Sequence, residues 1–435
     1  MKQLFINVLQ FALKFLARIT LARYKPAIIG VTGSVGKTST REAIRAVLGK
    51  ERNARSSSKN FNNELGFPLT ILGDWVDIGG VFFWIRVLLV SMFRVIVKDR
   101  DYPEVLVLEY AVDHPGDMKY LLGIARPHIA VFTAVGEIPV HVEFFDGPEA
   151  VFREKVKLVN QLPSTGFVVL NADDKMVITA QKETRAQVVT YGFSEKSDVR
   201  ITNFANQLEE GVLYGVSFKF AYHGKIVPVR IKGVLGKAQG YAVAAAAAVG
   251  SLFGMNFISI VEALNEKFIP LSGRSRVIPG IKNSVIIDDT YNASPLAMQE
   301  ALETLHTTSG KRKIAVLGDM LEIGTYTLEA HKDIGKLVAK YADVLITVGL
   351  RGKFIAEAAL RAGMEKKFVS SFMSVCEAGK FLQAKIVKGD IIIVKGSQSV
   401  RMEKIVEEVM LEPEKAGKLL VRQNKVWLAK PGLYE

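Results

Sequence analysis

Eight consecutive residues, Thr32-Gly33-Ser34-Val35-Gly36-Lys37-Thr38-Ser39, are of the types that can hold a chain of phosphates. The glycines let backbone approach an anion, Lys37 offers a cation to the terminal phosphates, and the Thr38 hydroxyl can reach Mg²⁺. The apolar run 27–31 before them reads as a buried strand, and 38–48 reads as a helix. In that setting the loop N–H groups converge on one concavity, and the helix N-terminus adds partial positive charge. Val31 stands where the general phosphate-loop motif has its first glycine, so the reading rests on Gly-Lys-Thr between strand and helix. Glu109 closes a second apolar run, 105–109, where a carboxylate projects at the mouth of an α/β sheet.

Positioning those groups requires a sheet, and the chain supplies the pattern for one. Further apolar strands are expected over 128–133, 166–170 and 187–191, alternating with helical stretches, which implies a mostly parallel, doubly wound sheet. Alternation over 212–220 and 225–231, with Gly211, Gly215 and Gly224, predicts antiparallel strands, followed by an alanine-rich helix over 242–253. The pattern restarts near 270 with strands over 285–288, 313–317, 344–348 and 391–394. The expected architecture is α/β: a basic N-terminal helix (1–25), a phosphate-loop central domain (26–270), a smaller Rossmann-like C-terminal domain (271–411) and a tail (412–435).

Composition narrows the class. The 435 residues are 49% hydrophobic and 23% charged, as in a globular chain with sizeable cores. A single cysteine, Cys376, excludes an internal disulfide framework and a cysteine-rich zinc site, and fits a reducing, cytoplasmic setting. The net charge of +13 favours anionic partners such as nucleotides or an anionic membrane. No stripe of interleaved basic and aromatic residues favours nucleic acid.

Two segments leave alternatives open. Residues 1–25 carry Lys2, Lys14, Arg18, Arg23 and Lys25 and no acid, with Leu4, Val8, Phe11, Phe15 and Ile19 on one helical face. Lys14 and Arg18 interrupt the apolar core that a signal peptide or spanning helix needs. An interfacial membrane helix and a helix packed on the protein body both remain. Residues 78–97 hold Phe82, Phe83, Trp84, Leu88, Leu89, Met92 and Phe93, relieved by Arg86, Arg94 and Lys98. They form either a buried helix or an apolar patch shared with the first, for peripheral contact with the inner face of a membrane.

The loop, with further motifs in order, resembles the Mur ligase family, whose members join amino acids to the peptidoglycan precursor. These motifs are Asn60-Phe61-Asn62-Asn63-Glu64-Leu65-Gly66-Phe67-Pro68-Leu69-Thr70, Leu108-Glu109-Tyr110, His114-Pro115-Gly116-Asp117 and Asn171-Ala172-Asp173-Asp174. Further on come Asp288-Asp289-Thr290-Tyr291-Asn292-Ala293-Ser294-Pro295, Leu317-Gly318-Asp319-Met320-Leu321-Glu322 and Val394-Lys395-Gly396-Ser397. Within the family they are most similar to those of ligases adding D-alanyl-D-alanine to UDP-N-acetylmuramoyl-tripeptide.

The resemblance implies an ATP-dependent, ADP-forming ligase working through an acyl phosphate. Its partners would be a small-molecule or lipid-linked carboxylate acceptor and an amino acid or dipeptide. ATP would lie on residues 32–39 with Arg274, Asp288, Tyr291 and Asn292 nearby. Mg²⁺, two ions by resemblance, would be held by Thr38, Glu109, His141 and a carbamoylated Lys155, with Lys157 close enough to compete for that assignment. Asn62, Asn63, Lys395 and Ser397 would face the substrates, and His331 matches a family position to which no role is given.

Three departures stand out. The family's Gly-Glu-Ala-His reads Gly136-Glu137-Ile138-Pro139-Val140-His141 here. The expected His-Asn and later Asn of the adenine region are replaced by Ala238-Gln239 and Ala242. Only about 26 residues precede the nucleotide domain, where the family usually carries a domain for the UDP end of the precursor. A same-fold ligase for another carboxylate (a folate, a polyamino acid or another envelope polymer) and a non-catalytic nucleotide-binding scaffold are the rival readings.

Overall fold

A computed structural model describes residues 2–57, 64–75, 79–209 and 212–434. The central domain carries nine strands: β1 (Ala27–Thr32), β2 (Ala54–Ser56), β3 (Val105–Glu109), β4 (Ile129–Phe132), β5 (Phe167–Asn171), β6 (Gln187–Gly192), β7 (Val199–Glu209), β8 (Val212–Tyr222) and β9 (Lys225–Lys232). Their order is β2-β3-β1-β4-β5-β6-β7-β8-β9, parallel from β2 to β7 and antiparallel across β7-β8-β9. Helices cover both faces, which is why the central strands read as unbroken apolar runs.

One face holds α1 (Lys2–Tyr24) and, in chain order after α2 (Lys37–Leu48), the helices α3 (Gly66–Leu72), α4 (Val81–Ile96), α5 (Asp117–Leu122) and α6 (Pro148–Asn160). The other holds α2, α7 (Lys237–Leu252) and α8 (Phe257–Lys267). Alanines 244–248 of α7 are fully buried, and these small side chains let α7 lie close against the sheet and α2.

The second sheet contains β10 (Arg276–Pro279), β11 (Val285–Asp289), β12 (Arg312–Gly318), β13 (Val344–Val348), β14 (Val369–Phe372) and β15 (Asp390–Lys395). Its order is β10-β11-β15-β12-β13-β14, with only β10 antiparallel. Helices α9 (Pro295–Thr307), α10 (Thr327–Tyr341) and α11 (Gly352–Arg361) cover one face, and α12 (Val375–Lys385) and α13 (Glu403–Val409) the other.

Two expectations change, and one open alternative is decided. The stretch from 412, read as a tail, is docked on the C-terminal domain: Leu420 and Tyr434 enter its core, and the Tyr434 hydroxyl donates to Asp319 at 2.5 Å. Below it, Glu403 is fully buried between two guanidinium groups, 2.5 Å from Arg401 and 2.7 Å from Arg422. Arg401 in turn donates to the carbonyls of Trp427 and Lys430, pinning the last stretch of chain.

The face of α1 is the second change. Leu9, Leu13, Leu16 and Ala17 pack inward, whereas Val8, Phe11 and Phe15 of the expected apolar face point to solvent. The helix is apolar on more than one stripe, and the stripe with the longer run of leucines wins the core. Burying those three leucines contributes about 2 kcal/mol each. Of the two alternatives for α4, the structure shows an apolar patch: Trp84, Val87 and Ser91 face the core, Phe83 and Leu88 pack partly against it, and Phe82, Ile85, Leu89, Met92, Phe93 and Ile96 are exposed. Residue 78, the start of the segment as first read, lies outside the described residues. Among the described residues no helix is long and apolar enough to cross a membrane.

Candidate active site

The first and third strands run side by side, with Val31 opposite Glu109, so the turn after β1 and the Glu109 carboxylate share one end of the sheet. The turn needs glycine. At Gly33 φ is 141°, and a Cβ there would come within 2.0 Å of Thr133 Oγ1. Thr133 Oγ1 donates to the Val35 carbonyl at 2.6 Å, and the Ser34 and Val35 amides donate to Ala134 O at 2.6 and 3.1 Å. Gly36, at φ 86°, then turns the chain into α2, whose first N–H groups have no helical acceptor.

Ser34, Val35, Gly36, Lys37, Thr38 and Ser39 all line a cleft of about 360 Å³ between the domains, a volume within the usual range for ligand sites. Thr32 does not: its hydroxyl is buried and donates to Tyr110 O at 3.0 Å. The residues fit a phosphate chain on two counts: the left-handed backbone at Gly33 and Gly36 that exposes the loop amides, and a buried Ser34 hydroxyl that has no partner among the described residues.

Charge is concentrated at this end. The Lys37 ammonium donates to Gly33 O at 2.9 Å and more weakly to Ser34 O, and burial lowers its pKa despite the opposing fields of Glu109 and Asp113. The Glu109 carboxylate accepts from Thr38 Oγ1 at 3.1 Å and from Arg41 at 3.2 Å. Burial pushes the Glu109 pKa up, but Arg41, Lys37 and Arg274 together outweigh it and the net shift is downward. Arg274 crosses from the second domain: its guanidinium donates to Thr38 Oγ1 at 2.8 Å and lies 4.1 Å over the Tyr291 ring.

Lys155 and Lys157 have different surroundings. Lys157 points outward and pairs with Glu154 at 2.5 Å. Lys155 is 1% exposed, its Nζ 3.4 Å from Val112 O, and burial reinforced by the field of Lys37 lowers its pKa to about 7. Glu154 accepts from the Gly116 and Met118 amides, so α6 orders the His114-Pro115-Gly116-Asp117 loop while turning Lys155 inward. His141, in left-handed backbone at φ 67°, places one ring nitrogen 3.2 Å from Asp113 and the other 2.6 Å from Glu322 of the second domain. Among the described residues no group of three His, Cys, Asp or Glu side chains has the arrangement of a metal site.

In the second domain the register pairs Asp288 with Val394 and Asp289 with Lys395. Successive strand residues face opposite ways, and the outcome departs from expectation. Asp288 is fully buried, away from the cleft, and accepts from the Gly273 amide and the Thr290 amide and hydroxyl; burial raises its pKa to about 6. It positions the turn that carries Arg274 and Tyr291. Its neighbour Asp289 lines the cleft instead, 2.6 Å from the Lys395 ammonium.

Lys395 also donates to Asn292 O, and Asn292 Oδ1 accepts from the Ala293 amide. Ser397 Oγ accepts from Leu321 N, and His331 Nε2 accepts from Met320 N, so both fix the loop that presents Glu322. Asn62 and Asn63 lie outside the described residues.

Sequence reasoning passed over Arg41, Asp113, Asp289 and Glu322. Arg41 stands one helical turn after Lys37 on α2, which is a readable signal. The other three, all acids, become site residues only through their strand or loop orientation. At the altered adenine region, Ala238 and Gln239 do line the cleft, and Gln239 Nε2 is spent on Arg274 O at 3.0 Å.

Together these features define a phosphate-loop enzyme whose second α/β domain completes the site. Residues 90–250 match the Mur ligase middle domain, and 273–398 match the Mur ligase glutamate ligase domain. The chain is 30% identical over 405 residues to the UDP-N-acetylmuramoyl-tripeptide–D-alanyl-D-alanine ligase of Bacillus subtilis, covering 92% of this chain and 80% of that protein. It is 31% identical to the ligase of the same name from Synechocystis, over 90% and 76%. Among solved structures it is similar to the MurF ligase of Thermotoga maritima in complex with ADP, at 27% identity and a TM-score of 0.76 over 93% of this chain and 84% of that one. The chain belongs to the Mur ligase family of ATP-dependent amide-bond ligases.

Proposed function

We propose that this enzyme adds D-alanyl-D-alanine to the free carboxylate of a UDP-N-acetylmuramoyl-tripeptide, with ATP converted to ADP and phosphate. The observation that supports it most is the bridge from Arg274 to Thr38, which holds the second domain's Asp289–Lys395 edge over the phosphate loop. Relatives of that name match over most of the chain.

A carboxylate is a poor electrophile, and the reaction overcomes this by phosphorylating it. The loop amides and Lys37 bind and orient the terminal phosphates, with Arg274 and Tyr291 beside them. Transfer of the γ-phosphoryl group to a carboxylate oxygen releases ADP and gives an acyl phosphate. The dipeptide amine then attacks the carbonyl carbon, the bond from carbon to the phosphate oxygen breaks, and phosphate leaves with one carboxylate oxygen. Such transfer depends on positioning and charge neutralisation more than on a nucleophilic side chain.

Thr38 and Glu109 would hold one Mg²⁺, and His141 with a carbamoylated Lys155 a second. Magnesium supplies charge neutralisation at the phosphates. A Lys155 amine that is half neutral near pH 7 is able to take up CO₂, whereas Lys157 points outward and pairs with Glu154. Lys395 and Ser397 shape the side of the cleft that receives the amine.

The test is a panel of purified-enzyme reactions read by mass spectrometry. UDP-N-acetylmuramoyl-tripeptide with D-alanyl-D-alanine is expected to give the pentapeptide product with matching ADP. Amide product only from another pair, such as a folate with glutamate, would contradict the assignment.

A further inference from the structure

The α1 and α4 helices lie side by side on the central domain, and their C-terminal ends are tied together. Arg23 donates to Ile96 O at 3.2 Å, and the Tyr24 hydroxyl donates to Arg94 O at 2.7 Å. The inward stripe of each helix is spent on the core. The outward stripes are also apolar, and nothing described covers them. On α4 they are Phe82, Ile85, Leu89, Met92, Phe93 and Ile96, at three- and four-residue steps, with Phe82 88% exposed. On α1 Val8, Phe11 and Phe15 continue the surface, and the Phe11 and Phe15 rings stack at 6.5 Å. A patch of this extent is larger than the scattered apolar residues of an ordinary surface.

The two helices themselves carry only cations. Arg18, Arg23 and Lys25 on the α1 side and Arg86, Lys98 and Arg100 on the α4 side are exposed. No acid occurs in residues 1–25 or 81–98; beyond α4, Asp99 is 3.3 Å from Arg94, and Asp74 pairs with Arg55. Sixteen residues of α4 extend only about 24 Å, too short for a span but suited to lying in an interface.

We propose that this face docks the enzyme on an anionic lipid surface, with the phenylalanines in the acyl boundary and the cations at the headgroups. A second copy of the chain is the poorer occupant: pairing the two faces would oppose like cations, and neither helix carries an acid to offset them.

The test uses the full chain with vesicles of phosphatidylglycerol and phosphatidylcholine, against phosphatidylcholine alone. Flotation with the anionic vesicles is expected, weakened at about 0.5 M salt. The Phe82→Asp/Phe93→Asp variant should lose more than about tenfold in partition, and Arg86→Glu about fivefold or more. Unchanged melting temperature and ADP release would show that both variants are folded. Failure of the intact chain to float, or equal flotation of the double variant, would overturn the proposal. So would a dimer in sedimentation that the double variant dissolves while vesicles bind neither form.

Discussion

The two domains carry their cations in different states. At the first, Lys155 is buried and Lys37 partly buried, neither has an ion-pair partner among the described residues, and both are bonded only to backbone carbonyls. At the second, Lys395 is paired with Asp289 at 2.6 Å, and Arg401 and Arg422 share Glu403. A buried cation without a carboxylate costs free energy unless something else supplies negative charge. The difference separates Lys37 and Lys155, which await an anionic ligand or a covalent change, from Arg401 and Arg422, which hold the domain together; Lys395 keeps its carboxylate partner within the cleft.

That contrast can be broken most severely at Lys37. The Lys37→Ala variant should lose on the order of 10³-fold in kcat while its melting temperature stays within about a degree or rises, because the substitution removes an unpaired, partly buried charge. A large drop in melting temperature with kcat retained would place Lys37 with the structural cations. Glu403→Ala should do the reverse, costing about 3 kcal/mol of unfolding free energy by stranding Arg401 and Arg422. Denaturant titration reads the loss, and kcat at low temperature should change little.

Lys155 sharpens the contrast through pH. Burial brings its pKa from the ordinary 10.5 down to about 7, so the folded amine is protonated below pH 7 and neutral above it. Unfolded, it stays protonated up to about 10.5, so its cost to stability is full below pH 7 and fades between pH 7 and 10.5. Activity that needs the carbamate should fall about tenfold from pH 8 to 6 and rise with added bicarbonate. Lys155→Met should lose the bicarbonate response and the ¹³C carbamate resonance, whereas Lys157→Ala should keep both.

The interior of the fold was legible because parallel strands covered on both faces are unbroken apolar runs; β3 and β13 begin and end where their sequences indicate. Short, mixed edge strands such as β2 and β14 carry no comparable pattern. In the site, the loop and Glu109 were legible because residue type and position jointly specify their chemistry. The Asp288-Asp289 doublet was not, since one residue of register decides which carboxylate enters the cleft. Choosing between the apolar stripes of α1 likewise needed the shape of the body beneath it.

The central claim, that the cleft activates a carboxylate by phosphorylating it, is tested most directly with ¹⁸O in both oxygens of the tripeptide's reacting carboxylate. One ¹⁸O in each phosphate released, and one in each new amide carbonyl, is the result the account predicts. Unlabelled phosphate, with both labels retained in the acceptor, would contradict it.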